Sequence, residues 1–323
     1  MVSICCITYN HEQFIKKALD NFLMQKVDFK YEILIHDDAS TDSTAKIIRE
    51  YEKKYPDIIK PIYQTENQYS KGIKVSVTYN YPRANGKYIA ICEGDDFWTD
   101  ENKLQKQVDF LETHTDYSMC CHSAYHVDTD DNIIDIKGPF FEKGQLSAEN
   151  AIIEDKGWIA TASILFRKSV LLNTPSFFNE VSVGDYPLRL NCFSKGKIFF
   201  DDSIMAAYRI SVGKKINRSS YVYKMKSNSK IRIIERNSIN DFLKKYNVYT
   251  DFKYQEYITT AIKRNSLLIN IALKNIEGIK SNEYFKSKSL KYKIGVLCKV
   301  KHPCFYSIVK QFLSFLRKIK HAG

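Results

Sequence analysis

Three times in the first hundred residues an apolar, β-branched run ends abruptly in polar or acidic residues. Val2 to Ile7 runs into Thr8-Tyr9-Asn10-His11, Tyr31 to His36 into Asp37-Asp38-Ala-Ser-Thr-Asp42, and Tyr88 to Cys92 into Glu93-Gly94-Asp95-Asp96. Short apolar runs of this kind read as strands buried on both faces. Between the first two, Phe14, Ile15, Ala18, Leu19, Phe22 and Leu23 recur at helical spacing. Ile47, Ile48 and Tyr51 mark a second helix that stops before Pro56, and Ile58 to Gln64 reads as a further strand. Strand alternating with helix predicts an α/β fold on a mainly parallel sheet. Right-handed crossovers then gather the polar strand ends on one edge, where ligands sit in open α/β sheets.

Glu93, Asp95 and Asp96 place three carboxylates within four residues. They repel one another, so something must compensate. A hard divalent cation, Mg or Mn, takes oxygen ligands and keeps positions open for substrate phosphates. Gly94 lets backbone approach such a ligand. The plain alternative is a capping cluster for the helix that carries Leu104, Val108 and Leu111. Asp185, in Val183-Gly-Asp-Tyr-Pro-Leu-Arg189, likewise reads as a helix N-terminal carboxylate with Arg189 as its i,i+4 partner.

The rest of the first 210 residues continues in the same style. Residues 116–135 predict a hairpin around Asp128-Thr-Asp-Asp-Asn132, 147–155 a short helix, Trp158 to Arg167 a strand, and 197–201 and 205–210 two more. His122 and His126 share a strand face without a third ligand nearby, which is thin ground for zinc. From Ser211 the alternation stops. A basic loop, 211–220, precedes helical patterns over roughly 228–246, 254–277 and 283–300. Phe305, Ile308, Val309, Phe312, Leu313, Leu316 and Ile319 then share one face flanked by Lys310, Arg317, Lys318 and Lys320. Such a segment, 303–323, either lies on an anionic membrane or docks on its own domain.

Charge follows the same division. From Arg209 onward there are 26 Lys and Arg against 6 Asp and Glu, while the whole 323-residue chain carries only +12. An acidic region, about 1–210, therefore precedes a basic one, 211–323. The eight cysteines form no Cys-x-x-Cys, and Cys5-Cys6 and Cys120-Cys121 sit inside apolar runs. They read as core residues in a reducing compartment. The first strand starts at Val2 without a leader, and no apolar run reaches the ~18 residues of a membrane span. The expected location is cytoplasmic, at most peripheral on a membrane face.

These motifs, taken in order, resemble the family 2 inverting glycosyltransferases of the GT-A fold. Val2-Ser-Ile-Cys-Cys-Ile-Thr-Tyr-Asn10 is similar to that family's opening strand and turn. Ile33 to Asp42 is similar to its second strand with the Asp-Asp-x-Ser-x-Asp ending, and Gly86 to Trp98 to its DXD-type segment. The resemblance implies a Rossmann-related, mixed but mainly parallel sheet flanked by helices. It places a nucleotide-binding half in about 1–100, an acceptor half in about 101–210, and a C-terminal helical region beyond. By resemblance, Thr8, Tyr9, Asn10, Asp37 and Asp38 would hold the nucleoside of a nucleotide-sugar, with uridine as the expected base. Asp96, with Asp95, would hold Mn or Mg on the diphosphate. Asp185 would be the general base, and Glu93, Trp98 and Arg189 would lie in the donor and acceptor vicinity. The acceptor would be a glycan or lipid-linked sugar in surface-polysaccharide assembly. The sequence departs from the family at Gly184, where an acidic residue usually precedes the catalytic Asp. It also lacks the usual Ala-Arg-Asn segment, offering Lys71, Lys74 and Arg83 instead.

Rival readings fit less well. A nicotinamide dehydrogenase needs G-x-G-x-x-G after the first strand, and a nucleotidyltransferase a Gly-rich phosphate loop there; Thr8-Tyr9-Asn10-His11 is neither. A nucleic-acid binder, or a membrane-binding relative without catalysis, would use the basic region. It would leave carboxylates at the strand ends unexplained, so no nucleic acid is expected.

Overall fold

The computed structural model describes residues 1–136, 142–154, 159–181, 183–210 and 228–303. Loop 211–220, Trp158, and the amphipathic segment 305–319 with its expected membrane contact lie outside the described residues. The chain forms two compact units, Met1–Tyr223 and Lys224–Gly323.

The first unit is built on one sheet. Its strands are β1 (Val2–Thr8), β2 (Tyr31–Asp37), β3 (Ile59–Tyr63), β4 (Tyr88–Ile91), β5 (Phe97–Trp98), β6 (Tyr117–Val127), β7 (Ile133–Ile136), β8 (Gly144–Gln145), β9 (Leu165–Arg167) and β10 (Lys197–Arg209). They run in the order β3-β2-β1-β4-β9-β6-β10-β5, with β7 beside β6 and β8 beside β10. The block β3-β2-β1-β4 is parallel. Strand β9 is antiparallel to both neighbours, and β10 is parallel to β6. Direction therefore reverses twice across β9, which returns β6 and β10 to the sense of β1, β2 and β4. The carboxyl ends of all five, Thr8, Asp37, Ile91, Val127 and Arg209, share one edge.

Alternation of side chains splits the core into two layers. On one face Val2, Ile4, Cys6, Ile33, Ile35, Ala90 and Cys120 pack against α1 (Ile15–Leu23), α2 (Thr44–Lys54) and α4 (Lys103–Thr113). On the other, Cys5, Leu34, Ile89, Ile91 and Cys121 meet α3 (Tyr81–Arg83), α5 (Ala148–Ile153) and α6 (Asp185–Lys195). The adjacent cysteines thus part to opposite faces, as expected. Leu19 and Phe22 of α1 are fully buried. Each contributes about 1.5–3 kcal/mol by leaving water.

Two expectations for this unit need correction. Residues 197–201 and 205–210 are one strand, β10, with register shifts around Asp201 and Ile204. Asp201 Oδ1 accepts the Ser203 N–H at 2.8 Å, so a polar bulge interrupts the apolar pattern without ending the strand. The strand expected from Trp158 to Arg167 shrinks to β9, behind a single 3₁₀ turn at Thr161–Ser163.

The second unit is helical: α7 (Ser229–Tyr249), α8 (Gln255–Ala272), α9 (Ile276–Ser281), α10 (Glu283–Ser287) and α11 (Leu290–Lys301). Leu267, Ile279, Tyr284 and Phe285 form one core cluster in it, and Phe242, Leu243, Tyr246, Ile258 and Ala261 are buried as well. The helix expected over 254–277 stops at Ala272, because Lys274 takes a left-handed conformation (φ +56°) and Asn275 caps α9 through the Gly278 N–H. The one expected over 283–300 breaks where Ser289 caps α11. Among the described residues, no helix is long and apolar enough to cross a membrane.

Candidate active site

The turn after β1 and the loop after β2 are laced together. Asn10 sits in the left-handed region (φ +56°), which a short amide side chain tolerates. Its N–H donates to Ser40 Oγ at 2.9 Å, and its Oδ1 accepts from the Thr41 N–H at 2.8 Å. The His11 N–H donates to Thr44 Oγ1 at 2.8 Å. Asp37 is buried and takes the Ser40 hydroxyl; burial pushes its carboxyl above the ordinary range. Asp38 accepts the backbone N–H groups of Gln68 (2.8 Å, Oδ1) and Tyr69 (3.0 Å, Oδ2). His36 Nε2 lies 3.4 Å from its Oδ1. Asp38 therefore fixes the 67–69 segment over the strand ends. A carboxylate has about four acceptor positions, so one of them is left over.

The third strand end meets the first at Gly94. Its N–H donates to Ile7 O at 2.9 Å, and a Cβ there would fall 2.8 Å from Thr8 Cβ and Oγ1. Only glycine fits so close an approach. Beyond it the two aspartates part. Asp96 is buried; its Oδ1 accepts the Arg209 N–H at 2.8 Å, and its Oδ2 is buried with no hydrogen-bond partner. Half-buried Asp95 places Oδ2 3.7 Å from His11 Nε2. Thr8 Oγ1 and His11 Nδ1 are likewise buried without partners.

The electrostatics identify who stands near whom. Burial, then Asp95 and Asp185, push the Glu93 carboxyl up to about 8. Burial, then Asp95 and Glu93, raise Asp96 well above the ordinary range. The Tyr208 phenol is raised by burial and by Glu93, Asp96, Asp95 and Asp185. Asp185 thus shares a field with the strand-end carboxylates, although about ninety residues of chain separate them. It opens α6, half-buried. Burial and Glu154 raise its carboxyl, and Arg189 opposes them.

Other sequence candidates lie elsewhere. Trp98 is fully buried in the core against Phe22, with Nε1 donating to Ala162 O at 2.9 Å. Arg189 is the exception: it is buried, pairs with Glu154 Oε1 at 2.5 Å, and its charge acts on Asp185. Arg83 donates to the carbonyls of Lys60 (2.8 Å) and Ile35 (3.0 Å). Lys74 is tied to Val181 O, and Lys71 to Glu66. His122 is held by its own strand, Nδ1 to Ser123 O at 2.8 Å, and His126 pairs with Asp135. No cluster of three or more His, Cys, Asp or Glu able to hold a metal occurs among the described residues. Conversely, His11, Glu154, Tyr208 and Arg209 belong to this region and were not singled out from sequence. His11 had a signal, since it closes the first strand-end turn.

Residues 3–171 match the sequence profile of glycosyl transferase family 2. The chain belongs to that family. Its GT-A-like fold is shared with Staphylococcus aureus TarS 1-349 in complex with UDP, at a TM-score of 0.55 and 15% identity over 94% of this chain and 91% of that one. Among relatives of the family 2 chain, Mycobacterium tuberculosis Rv1520, itself uncharacterized, is 35% identical over 211 residues, 64% of this chain. The match spans only 58% of that relative's length. The Escherichia coli UDP-Glc:alpha-D-GlcNAc-diphosphoundecaprenol beta-1,3-glucosyltransferase WfaP is 28% identical over 262 residues, 78% of this chain and 98% of its own.

Proposed function

We propose that this family 2 chain moves a sugar from a nucleotide diphosphate sugar, of the UDP type, to an acceptor hydroxyl, with inversion and with a divalent cation. The observation that carries this reading is the edge itself. The end of β4 and the start of α6 bring Glu93, Asp95, Asp96 and Asp185 into one field, with the carboxyls of Glu93, Asp96 and Asp185 raised and Asp96 Oδ2 buried without a partner.

Asp96 Oδ2 and the Asp95 carboxylate suit a hard cation, because their donor atoms are carboxylate oxygens and Asp96 Oδ2 has no hydrogen-bond partner. Few protein ligands accord with an ion that takes its remaining ligands from phosphate and water. When bound, such an ion neutralises charge that develops on a leaving diphosphate. The rest is the chain's own work. The turn at Thr8, Tyr9 and Asn10 and the carboxylates of Asp37 and Asp38 form the nucleoside wall, the spare acceptor position of Asp38 suiting a base N–H. Asp185 takes the proton from the attacking hydroxyl, a step worth about 10²–10⁴-fold. Its raised carboxyl makes it a stronger base than an ordinary Asp. One base facing one leaving group gives a single displacement, hence inversion. The diphosphoundecaprenol-linked acceptor of WfaP supports a lipid-linked sugar acceptor, and the similarity to a Bacillus subtilis teichuronic acid biosynthesis glycosyltransferase supports a place in surface-polysaccharide assembly.

The test is calorimetric titration of UDP with Mn²⁺ and then with EDTA. Metal-dependent binding that Asp96→Ala removes supports the reading and justifies screening UDP-sugars for turnover. If UDP, GDP and dTDP all fail to bind, the nucleotide-sugar reading is wrong.

A further inference from the structure

Arg209 ends β10 and is only 6% exposed. A buried guanidinium is tolerated only where its donors are met. Here Nε donates to Asp95 O at 2.8 Å, Nη1 to Asp128 O at 2.5 Å and Nη2 to Asp131 Oδ1 at 2.7 Å. Its backbone N–H holds Asp96 Oδ1 at 2.8 Å. The guanidinium lies over the Phe14 ring at 4.2 Å from the centroid. One residue thus grips the acidic segment from two sides and ties it to the turn between β6 and β7.

That turn is built to hold its end. Asp128 Oδ1 accepts the N–H groups of Asp130 (2.8 Å) and Asn132 (2.9 Å). Asp131 adopts a left-handed conformation (φ +67°), an uncommon one for a residue with a Cβ. In it the carboxylate spans two cations, Oδ1 on Arg209 and Oδ2 on Lys17 Nζ at 2.7 Å. Lys17 Nζ in turn lies 3.9 Å from the centroid of the Phe97 ring, next to Asp96 in sequence. Only Arg offers three donors in a rigid plane; Lys brings the charge without the fork.

We propose that Arg209 is a positioning residue for Asp95 and Asp96, and that Asp131 positions Arg209 in turn. By holding the Asp95 carbonyl, the guanidinium sets the peptide between the two aspartates and so the direction of both carboxylates. The proposal rests on reading those carboxylates as the cation site. A purely structural role would cost the variants melting temperature and nothing specific. Positioning predicts a loss of metal-dependent binding that the melting temperature does not track.

The experiment uses the full chain with Arg209→Lys, Asp131→Asn and the double variant. Mn²⁺-dependent UDP affinity is measured by calorimetry, and amide hydrogen exchange over 93–97 is followed without ligand. Arg209→Lys should lose about tenfold or more of the affinity, as supporting partners of metal ligands do, and exchange faster at Gly94 and Asp96. Asp131→Asn, at a half-exposed position that keeps its size, should lose less. The double variant should be no worse than Arg209→Lys, since both act through one contact. Affinity within about twofold of wild type in folded Arg209→Lys, or losses that simply add, would overturn the proposal. If the wild type itself binds no UDP with Mn²⁺, the functional reading fails. Exchange then decides positioning alone: faster exchange at 93–97 supports it, unchanged exchange refutes it.

Discussion

The two edges of the sheet treat buried charge in opposite ways. At the edge where β1 and β4 begin, Glu32 is buried and fully engaged: Ser3 Oγ donates to it at 2.6 Å, the Asn85 N–H at 2.7 Å and Asn85 Nδ2 at 3.2 Å. Arg167 at the same edge spends its guanidinium on Tyr117 O, Tyr88 Oη and the carbonyls of Leu111 and His114. At the opposite edge Thr8 Oγ1, His11 Nδ1 and Asp96 Oδ2 are buried with no partner. Folding alone would fill such gaps, because an unmet buried polar group costs about 1–3 kcal/mol. What marks the site is that three such atoms stand together beside the acidic segment, Asp96 Oδ2 among them. The fold places carboxylates at both edges and satisfies them at one.

The sharpest way to break this contrast is Asp185→Asn. Transfer should fall by about 10²–10⁴-fold while Mn²⁺-dependent UDP binding stays, measured as turnover beside calorimetry. Turnover within a few-fold of wild type would remove Asp185 from the chemistry. Glu32→Ala should do the reverse. It strands three donors, so stability should drop by about 2–4 kcal/mol in urea unfolding, with UDP affinity unchanged. A loss of affinity there would mean the edges are not independent.

Lys103 tests burial without function. It is fully buried between the layers, with Nζ 2.7 Å from Gln107 Oε1 and 4.2 Å from the centroid of the Trp98 ring. Burial pushes it down to about 8. Between there and the ordinary lysine value the unfolded chain binds the extra proton, so stability should rise with pH across that window. Lys103→Met should abolish the rise and, at neutral pH, stabilise by about 1–3 kcal/mol. The mildest effect concerns the base. Asp185 works ionised, so kcat/KM falls as pH drops through its raised pKa, earlier than for an ordinary carboxylate. Glu154→Gln removes a charge that raises it, and the acid limb of the profile should move to lower pH.

How much of this was legible in sequence depends on distance along the chain. The strands β1, β2 and β4 were readable because burial on both faces leaves an unbroken apolar run. Strand β10 was read as two, since the bulge at Asp201 puts polar residues where the pattern needs apolar ones. The strand-end carboxylates were readable as a convergent set because topology, not contact, places them. Arg209 was not, as its side-chain partners lie 78 to 114 residues away. Trp98 misled in the other direction. It follows the acidic motif closely, yet the short β5 turns it into the core.

The parting of the cysteines gives the molecule a built-in gauge of its own opening. Cys5, Cys121 and Cys192 lie in one core layer and Cys6, Cys92 and Cys120 in the other, all as free thiols. Burial raises every one of them, Cys5 and Cys120 to about 12, so none offers thiolate to an alkylating reagent while the sheet is closed. Labelling of Cys6 and Cys92 would report separation of the α1 and α2 layer, and labelling of Cys5 and Cys192 separation of the α6 layer. The order in which these thiols become reactive in rising denaturant would read out which side of the sheet comes away first.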